Sequence, residues 1–299
     1  MPNSIDLSYD VTSAISLGRR DVQEDAIICD FPIGATMGFA VLSDGMGGHA
    51  AGDVASKIVV TEVFAELKLQ SGNPEAMETD IVTILQGAAA SANECIRVHA
   101  GHDNTTRGMG ATLVAPVLMG THLYWISVGD SPLLLFRDGA LKQLNQDHSM
   151  APQIDFLARA GMMETDVATN HPDRQCLTSV LAGRDIARID CPDIAVKLQH
   201  GDIVIAASDG LQFLENSEIS DLLTEHANAT SAGISNALLQ SLEHLDDPDQ
   251  DNVSFCVIRV LDTAETAREA TDADNVTVLD TTGKQGVSVL YPTSSDRRA

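Results

Sequence analysis

Short segments of consecutive apolar residues constrain the fold of this chain most strongly, because such segments are typical of β-strands buried on both faces. Examples are Gly38–Ser43 and Asp202–Ser208. Two longer segments, about 50–70 and 78–100, repeat apolar residues at helical spacing. Strands and helices come in blocks, which indicates antiparallel sheets with packed helices and not a doubly wound sheet. The other predicted strands are Val11–Leu17, Ala26–Phe31, Ala111–Met119, His122–Val128, Leu133–Phe136, Ala140–Leu144 and Val253–Val260, and shorter helices are predicted over Ala151–Ala160, Ser217–His226 and Ser231–Leu245.

The composition is that of a folded, acidic protein. Apolar residues make up 44% of the 299 residues, which is enough for a full core. The formal net charge of −25 disfavours nucleic acids and anionic membranes as partners, since both are polyanions. No apolar run approaches the ~20 residues of a membrane span, and the first residues lack the basic and apolar parts of a signal peptide. We therefore predict a cytoplasmic protein that binds neither nucleic acid nor membranes.

The five cysteines are Cys29, Cys95, Cys176, Cys191 and Cys256. They are far apart in the sequence and form no Cys-x-x-Cys pair, which excludes a zinc knuckle by spacing and argues against a disulfide framework. Most of them have apolar neighbours, so we interpret them as small hydrophobic residues.

The last 39 residues differ in composition from the rest. From Leu261 to Ala299, seven acidic and four basic residues surround two isolated β-like segments, Val276–Leu279 and Val287–Tyr291. We therefore predict a catalytic domain over residues 1–260 and an acidic C-terminal tail over residues 261–299. A flexible tail and a regulatory or docking appendage are both consistent with this composition.

Several predicted strands run directly into an aspartate that is followed by a very small residue. Asp44, Asp130 and Asp209 each follow such a strand, and Asp251 stands just before another. Asp-Gly most often marks a β-turn, and we interpret Asp138-Gly139 as only that. Asp44 and Asp209, however, lead into helices rather than into return strands. The repetition predicts a cluster of acids at one edge of a β-sandwich.

Clustered carboxylates favour a site for hard divalent cations. Glu24 and Asp25 add an adjacent acidic pair at the start of another strand. Without cations such acids repel one another, whereas Mg²⁺ and Mn²⁺ prefer carboxylate, carbonyl and water oxygens. Gly45 allows a backbone carbonyl to approach a metal closely. Two such ions can activate water for in-line attack on phosphorus, and Arg19 or Arg20 can orient the phosphate.

Eight short motifs occur in the order found in a known protein family. On these motifs, over about Val11 to Val260, the chain resembles the metal-dependent protein phosphatases of the protein phosphatase 2C type in a bacterial-looking form. The resemblance implies an α+β fold, a four-layer α/β/β/α sandwich of two central antiparallel β-sheets flanked by helices. The motifs are Arg20–Asp25, Asp44–Gly48, Gly110–Leu113, Val128–Ser131, Gln146–His148, Leu177–Gly183, Ser208–Gly210 and Asp251–Asn252.

The resemblance also implies two Mn²⁺ or Mg²⁺ ions, with a third that is bound more weakly. Asp44 would bridge the first two ions, and the carbonyl of Gly45 would bind one of them. Arg20 would grip the substrate phosphate, whereas Arg19 would be a surface residue. The further implied site residues are Asp25, Asp209 and Asp251 as metal ligands, Glu24 acting through bound water, and Asp130 at the third ion.

Two positions depart from the family pattern. Gln23 stands where many relatives have asparagine, and Met46 stands where animal relatives carry a histidine proposed as general acid. Protonation of the leaving group would therefore come from a metal-bound water or from a movable group such as His49. We interpret His148, Thr112 and Thr178 as structural residues, and residues 150–172 as a variable flap beside the active site.

We therefore predict a serine/threonine phosphoprotein phosphatase in which a water activated by two metals attacks the phosphomonoester and no phosphoenzyme forms. Its partners would be phosphoserine and phosphothreonine proteins and a cognate serine/threonine kinase. No cysteine has the setting of a cysteine phosphatase. Two alternatives stay open, a catalytically silent relative that binds a phosphoprotein or kinase and a phosphatase of small phosphomonoesters. Retention of the predicted acidic ligands argues against the silent relative.

Overall fold

The computed structural model describes residues 7–32, 35–47, 50–102 and 106–262. The strands are β1 Leu7–Ser16, β2 Asp25–Asp30, β3 Met37–Met46, β4 Gly110–Ala111, β5 Leu113–Met119, β6 His122–Val128, β7 Leu133–Arg137, β8 Ala140–Gln143, β9 Val196–Lys197, β10 Ile203–Ala207 and β11 Val253–Asp262. The helices are α1 Ala50–Gln70, α2 Pro74–Thr79, α3 Ile81–His102, α4 Ala151–Arg159, α5 Thr165–Thr169, α6 Asn216–Glu225 and α7 Ser231–Leu245, with a 3-10 turn over Asp209–Phe213.

The strands form two antiparallel sheets. The first sheet has the order β1-β11-β10-β7-β8, and the second has the order β2-β3-β5-β6-β9 with β4 added beside β3. Helices α1 and α3 cover the outer face of the second sheet, and α6 and α7 cover the outer face of the first. The predicted α+β fold, a four-layer sandwich with two central antiparallel sheets, is confirmed.

Alternation along each central strand divides its side chains between two apolar layers. On β3, Phe39 and Val41 point toward the helices, whereas Ala40 and Leu42 lie between the sheets. On β10, Ile205 points toward helices α6 and α7, while its neighbours face the other sheet. Because both faces are covered, these strands appear in the sequence as unbroken apolar runs. Full burial of each large side chain contributes about 1.5–3 kcal/mol to stability.

Most boundaries agree with the sequence predictions, and the differences have local causes. The predicted helix over 78–100 is divided at Asp80, where φ and ψ of −109° and 16° leave the helical range and end α2. The side chain of Asn73 caps the start of α2 at Pro74. The predicted strand Ala111–Met119 is interrupted at Thr112. Strand β3 continues to Met46, so Asp44 lies within the strand rather than after it.

The turn predicted at Asp138-Gly139 is confirmed. The two residues join β7 to β8, and their φ angles are 51° and 77°. Two positive φ angles are typical of the tight two-residue hairpin turn. This Asp-Gly pair therefore has an ordinary structural role, in contrast to Asp44 and Asp209.

Some predictions concern residues outside the described part of the chain. They are the candidate proton donor His49 and residues 263–299 of the predicted tail, which include its two β-like segments. The first two residues of that tail, Leu261 and Asp262, belong to β11. Within the described part, no helix is long and apolar enough to cross a membrane.

Candidate metal centre

The pairing of β2 with β3 sets Asp25 directly opposite Asp44. Asp25 is 3% exposed, and its Oδ2 accepts a hydrogen bond of 2.7 Å from the Ser208 hydroxyl. Ser208 follows β10 in the other sheet, so this bond crosses the sandwich. Asp25 and Asp44 thus lie at the edge where the two sheets meet.

Thr112 fixes the backbone around Asp44. Its hydroxyl accepts a hydrogen bond of 2.9 Å from the Asp44 N–H, and its own N–H donates to the Asp44 carbonyl over 2.8 Å. The hydroxyl also lies 2.7 Å from that of Ser131, next to Asp130. Thr112, at the break between β4 and β5, therefore connects the segment that contains Asp44 to the segment that contains Asp130. The structural role predicted for Thr112 is confirmed.

The first sheet contributes Asp209 and Asp251 to the same edge. Asp209 begins the 3-10 turn after β10, and its carboxyl group shares a hydrogen bond with that of Asp44. Asp251 precedes β11, and its Oδ2 accepts a hydrogen bond of 2.6 Å from Nη2 of Arg20. The predicted phosphate-binding arginine therefore contacts the acidic cluster. Arg19 instead pairs with the exposed Asp246.

Glu24 and Gly45 approach each other at the start of helix α1. A Cβ atom placed on Gly52 would lie 2.2 Å from Oε1 of Glu24 and 2.8 Å from the carbonyl oxygen of Gly45. Two oxygen atoms therefore converge on a space that only glycine leaves open. The Gly45 N–H also donates to the Glu24 carbonyl over 3.1 Å. Gly52 was not among the predicted site residues, because a glycine in the first turn of a helix is not distinctive in sequence.

Asn252 is a second site residue to which the sequence analysis gave no role of its own. Its Oδ1 accepts a hydrogen bond of 2.7 Å from the Glu24 N–H, and its Nδ2 donates to the Leu17 carbonyl over 2.9 Å. Asn252 thereby ties the segment before β2 to the segment before β11. The available signal was its position directly after Asp251, within one of the eight motifs.

Asp130 belongs to the same electrostatic cluster through Asp44 and Asp209. The imidazole of His148 supports its loop, because Nδ1 accepts a hydrogen bond of 3.2 Å from the Gly129 N–H. The backbone carbonyl of His148 in turn accepts hydrogen bonds from the N–H and hydroxyl of Thr178, both at 2.7 Å. The predicted structural roles of His148 and Thr178 are confirmed.

Burial and mutual repulsion favour the protonated forms of Asp25, Asp44, Asp130 and Asp209. Burial, assisted by repulsion from Asp209 and Asp251, raises the pKa of Asp25 to about 7. Burial and the charges of Asp209 and Asp147 raise the pKa of Asp130 to about 7. The pKa of Asp44 also lies well above its usual range, first through burial and then through repulsion from Asp25. The shared hydrogen bond between Asp44 and Asp209 needs one such proton.

The donor set fits a hard divalent cation in its chemistry. It consists of carboxylates and a backbone carbonyl, which are the oxygen ligands that such cations prefer. The side chains themselves are not preorganised. Within the described ranges, no group of three or more Asp, Glu, His or Cys side chains is arranged so that it could hold a metal ion. The carboxyl group of Asp44 instead forms a hydrogen bond with that of Asp209, and the carboxylate of Asp251 pairs with Arg20.

We expect the metal-free protein to become less stable as the pH rises from about 4 to 7. In this range the folded state retains protons on Asp25 and Asp130 that unfolded carboxylates have released, so the free energy of unfolding falls with increasing pH. Each pKa unit corresponds to about 1.4 kcal/mol. Urea unfolding in chelator at pH 5 and pH 7.5 measures this. Asp25→Asn should show a weaker pH dependence, and identical profiles for the two proteins would contradict the prediction.

Comparison with known proteins agrees with this arrangement. Residues 18–247 match the family model described as Protein phosphatase 2C. The serine/threonine phosphatase stp of Listeria welshimeri is 33% identical over 184 residues, which cover 61% of this chain and 70% of the relative. The chain is also similar to the structure of the S. agalactiae serine/threonine phosphatase, with a TM-score of 0.70 and 26% identity over 85% of this chain and 99% of that one.

A further similar structure contains metal. It is the catalytic domain of the serine threonine protein phosphatase PstP in complex with two manganese ions, with a TM-score of 0.64 and 26% identity over 86% of this chain and 99% of that one. The family match extends over well more than half of the residues and agrees with the fold and with the order of the motifs. This chain therefore belongs to the protein phosphatase 2C family of serine/threonine phosphatases.

Proposed function

We propose that this chain hydrolyses phosphoserine and phosphothreonine in proteins with two divalent cations, Mn²⁺ or Mg²⁺, held at the edge between the two sheets. One observation carries the proposal: Asp25 and Asp44 from one sheet meet Asp209 and Asp251 from the other beside an arginine. When bound, the cations would activate water and stabilise negative charge on the phosphate.

The proposed ligands follow from the donor atoms at this edge. Asp44 would serve both ions, and the Gly45 carbonyl one of them. Asp25, Asp209 and Asp251 would supply the remaining carboxylates, while Glu24 would act through water and Asp130 at a weaker third position. Binding requires Asp44 and Asp209 to give up their shared proton, and the proximity of a cation favours that loss.

Arg20 is the proposed phosphate-binding residue. Its side chain is 53% exposed, and one nitrogen holds Asp251. The other donors of its guanidinium group make no hydrogen bond to the described residues, so they can bind phosphate oxygens in the planar geometry that suits a guanidinium group. Asp251 would thus orient Arg20 as well as bind metal.

We expect Arg20→Ala to lower kcat/KM about 10- to 100-fold, chiefly through KM, because about 1.5–3 kcal/mol of charged hydrogen bonding to phosphate is lost. The adjacent Arg19→Ala is the matched control, since Arg19 pairs with exposed Asp246. Its kcat/KM should change less than about twofold. Steady-state kinetics with an aryl phosphate measure both, and equal losses in the two variants would exclude a specific role for Arg20.

The direct test of function compares two substrates with and without metal. The purified chain is incubated with an aryl phosphate and with a phosphothreonine peptide, in chelator or in Mn²⁺. Manganese-dependent turnover of both substrates supports the proposal. Absence of turnover with any metal favours a silent relative that binds a phosphoprotein or kinase, and turnover of small phosphomonoesters alone favours a small-molecule phosphatase.

Protein substrates are favoured over small ones by the surface of the flap. Residues 150–172 contain α4 and α5, on which Phe156 is 62% exposed and Val167 is 52% exposed. Arg174 anchors α4 through two hydrogen bonds to Asp155, of 2.6 and 3.1 Å. A small phosphomonoester gains no binding energy from exposed apolar side chains, whereas a peptide can pack on them.

We expect Phe156→Ser to reduce kcat/KM for the phosphothreonine peptide about 10-fold, because a peptide loses apolar contact worth about 1.4 kcal/mol. Turnover of the aryl phosphate should stay unchanged, because that substrate has no peptide segment to pack on Phe156. Leu69→Ser is the matched control, since Leu69 is 77% exposed at the end of α1 and lies outside the flap. An equal loss on both substrates would show that the flap does not select peptides.

A further inference from the structure

Two cysteines that are remote in the sequence meet in the layer between the sheets. The Sγ atoms of Cys29 and Cys256 are 3.4 Å apart, and the residues are separated by 227 positions in the chain. Cys29 lies on β2, the edge strand of the second sheet, and Cys256 lies on β11, inside the first sheet. Both face the same apolar layer. They therefore form the one place where a single covalent bond could join the described parts of the two sheets, because the other cysteines show no such approach.

The two thiols differ in their exposure to solvent. Cys256 is 0% exposed and pairs in register with Ser13 on β1 and Ala206 on β10. Cys29 is partly exposed on its edge strand. An oxidant from solvent therefore reaches Cys29 first, and Cys256 is already placed as its partner. The hydrogen bond with Cys29, together with burial, raises the pKa of the Cys256 thiol, so this thiol keeps its proton until the departing hydroxyl of an oxidised Cys29 takes it.

We infer that Cys29 and Cys256 form a reversible inter-sheet disulfide when the protein meets a peroxide. In the first step Cys29 sulfur attacks a peroxide oxygen, the S–O bond forms, the O–O bond breaks, and one water leaves with the thiol proton. In the second step Cys256 sulfur attacks the Cys29 sulfenic acid, the S–S bond forms, and the departing hydroxyl takes the Cys256 proton as a second water. Two thiols and one hydrogen peroxide thus give one disulfide and two waters.

The geometry requires only a small movement. A disulfide has an S–S bond of about 2.05 Å, so the sulfur atoms must approach by about 1.4 Å from their separation of 3.4 Å. Rotation of the partly exposed Cys29 side chain can supply part of this approach. The bond would connect β2, which begins at Asp25, to β11, which follows Asp251. It would thus link the two strands next to the proposed metal centre without involving any ligand.

The test uses the reduced full-length chain treated with hydrogen peroxide, then alkylated and digested without reductant. Mass spectrometry should find the Cys29 peptide linked to the Cys256 peptide, and dithiothreitol should separate them. Thiols titrated in denaturant should fall from five to three. The melting temperature should rise by about 5 °C or more, because the crosslink closes a very long loop. None of these readouts depends on phosphatase activity.

Three variants make the result specific. Cys29→Ser should abolish the crosslink and the rise in melting temperature, while Cys176→Ser should retain both, since Cys176 is exposed elsewhere. Cys256→Ala should leave a sulfenic acid on Cys29 that dimedone traps. Oxidation confined to Cys176, or peroxide-treated protein in which Cys29 and Cys256 both remain alkylatable, would overturn the inference. Conversion of Cys29 to sulfinic acid in the unmodified chain would overturn it as well.

Discussion

Replacement of Asp44 by asparagine is expected to lower manganese-dependent kcat by at least about 10³-fold, equivalent to about 4 kcal/mol of transition-state stabilisation. Asp44 is the proposed ligand shared by both ions, and an amide cannot supply the same charge. The rise in melting temperature with millimolar Mn²⁺ should disappear too. For the unmodified chain, that rise is expected to be about 5–10 °C if the metal is present at about 100 times its Kd.

The same variant distinguishes loss of metal binding from loss of folding. Burial already raises the pKa of Asp44 well above its usual range, so an uncharged asparagine suits the metal-free site. Metal-free Asp44→Asn should therefore melt at the same temperature as the parent or higher. Asp138→Asn is the matched control, because asparagine tolerates the positive φ of that hairpin turn, and it should keep full activity. Unchanged turnover in Asp44→Asn would refute the proposed centre.

The second large effect is expected at Gly52, where an added methyl group has no room. The new Cβ would lie 2.8 Å from the Gly45 carbonyl oxygen and 2.2 Å from Oε1 of Glu24, so strand β3 or helix α1 must move. We expect Gly52→Ala to lower the free energy of unfolding by about 2 kcal/mol and to weaken Mn²⁺ binding, because it displaces two proposed donors together. Urea unfolding and calorimetric titration with Mn²⁺ measure the two effects.

Gly87→Ala provides the comparison for this substitution. Gly87 also lies in a helix, α3, but a Cβ there meets no atom within 4 Å. Alanine should therefore stabilise the protein by about 0.5–1 kcal/mol through helix propensity alone. The two substitutions are chemically identical, so the difference between them isolates the crowding at the site. A similar gain in stability for both would show that Gly52 carries no packing constraint.

The elements that could be predicted from the sequence are those whose apolar residues repeat at a clear local spacing. The long helix over Ala50–Gln70 and the strand His122–Val128 have the predicted bounds, because helical and extended periodicities differ clearly over such lengths. The acids were recognisable because each adjoins an apolar strand. Their convergence could not be derived from one strand alone, since it depends on the register that sets Asp25 opposite Asp44 and on the facing of two sheets.

The residues that escaped prediction act through side-chain hydrogen bonds made over long sequence distances. Asn252 receives the Glu24 N–H across 228 positions, and Ser208 reaches Asp25 across 183. Asparagine and serine are common in turns, so their types give no indication of such partners. The approach of Cys29 to Cys256 belongs to the same class, because sequence spacing argued against any pairing while the sandwich brings the two together.

The pairing of β1 with β11 has a consequence for protein synthesis. Strand β1 is matched residue for residue by β11, from Leu7 opposite Asp262 to Ser16 opposite Val253. A nascent chain that has emerged only to residue 200 lacks both Asp209 and Asp251, and its strand β1 lacks β11, its partner strand in the sheet. The acidic edge is therefore completed only after β11 has been translated, and a polypeptide released earlier by the ribosome lacks two of the proposed metal ligands.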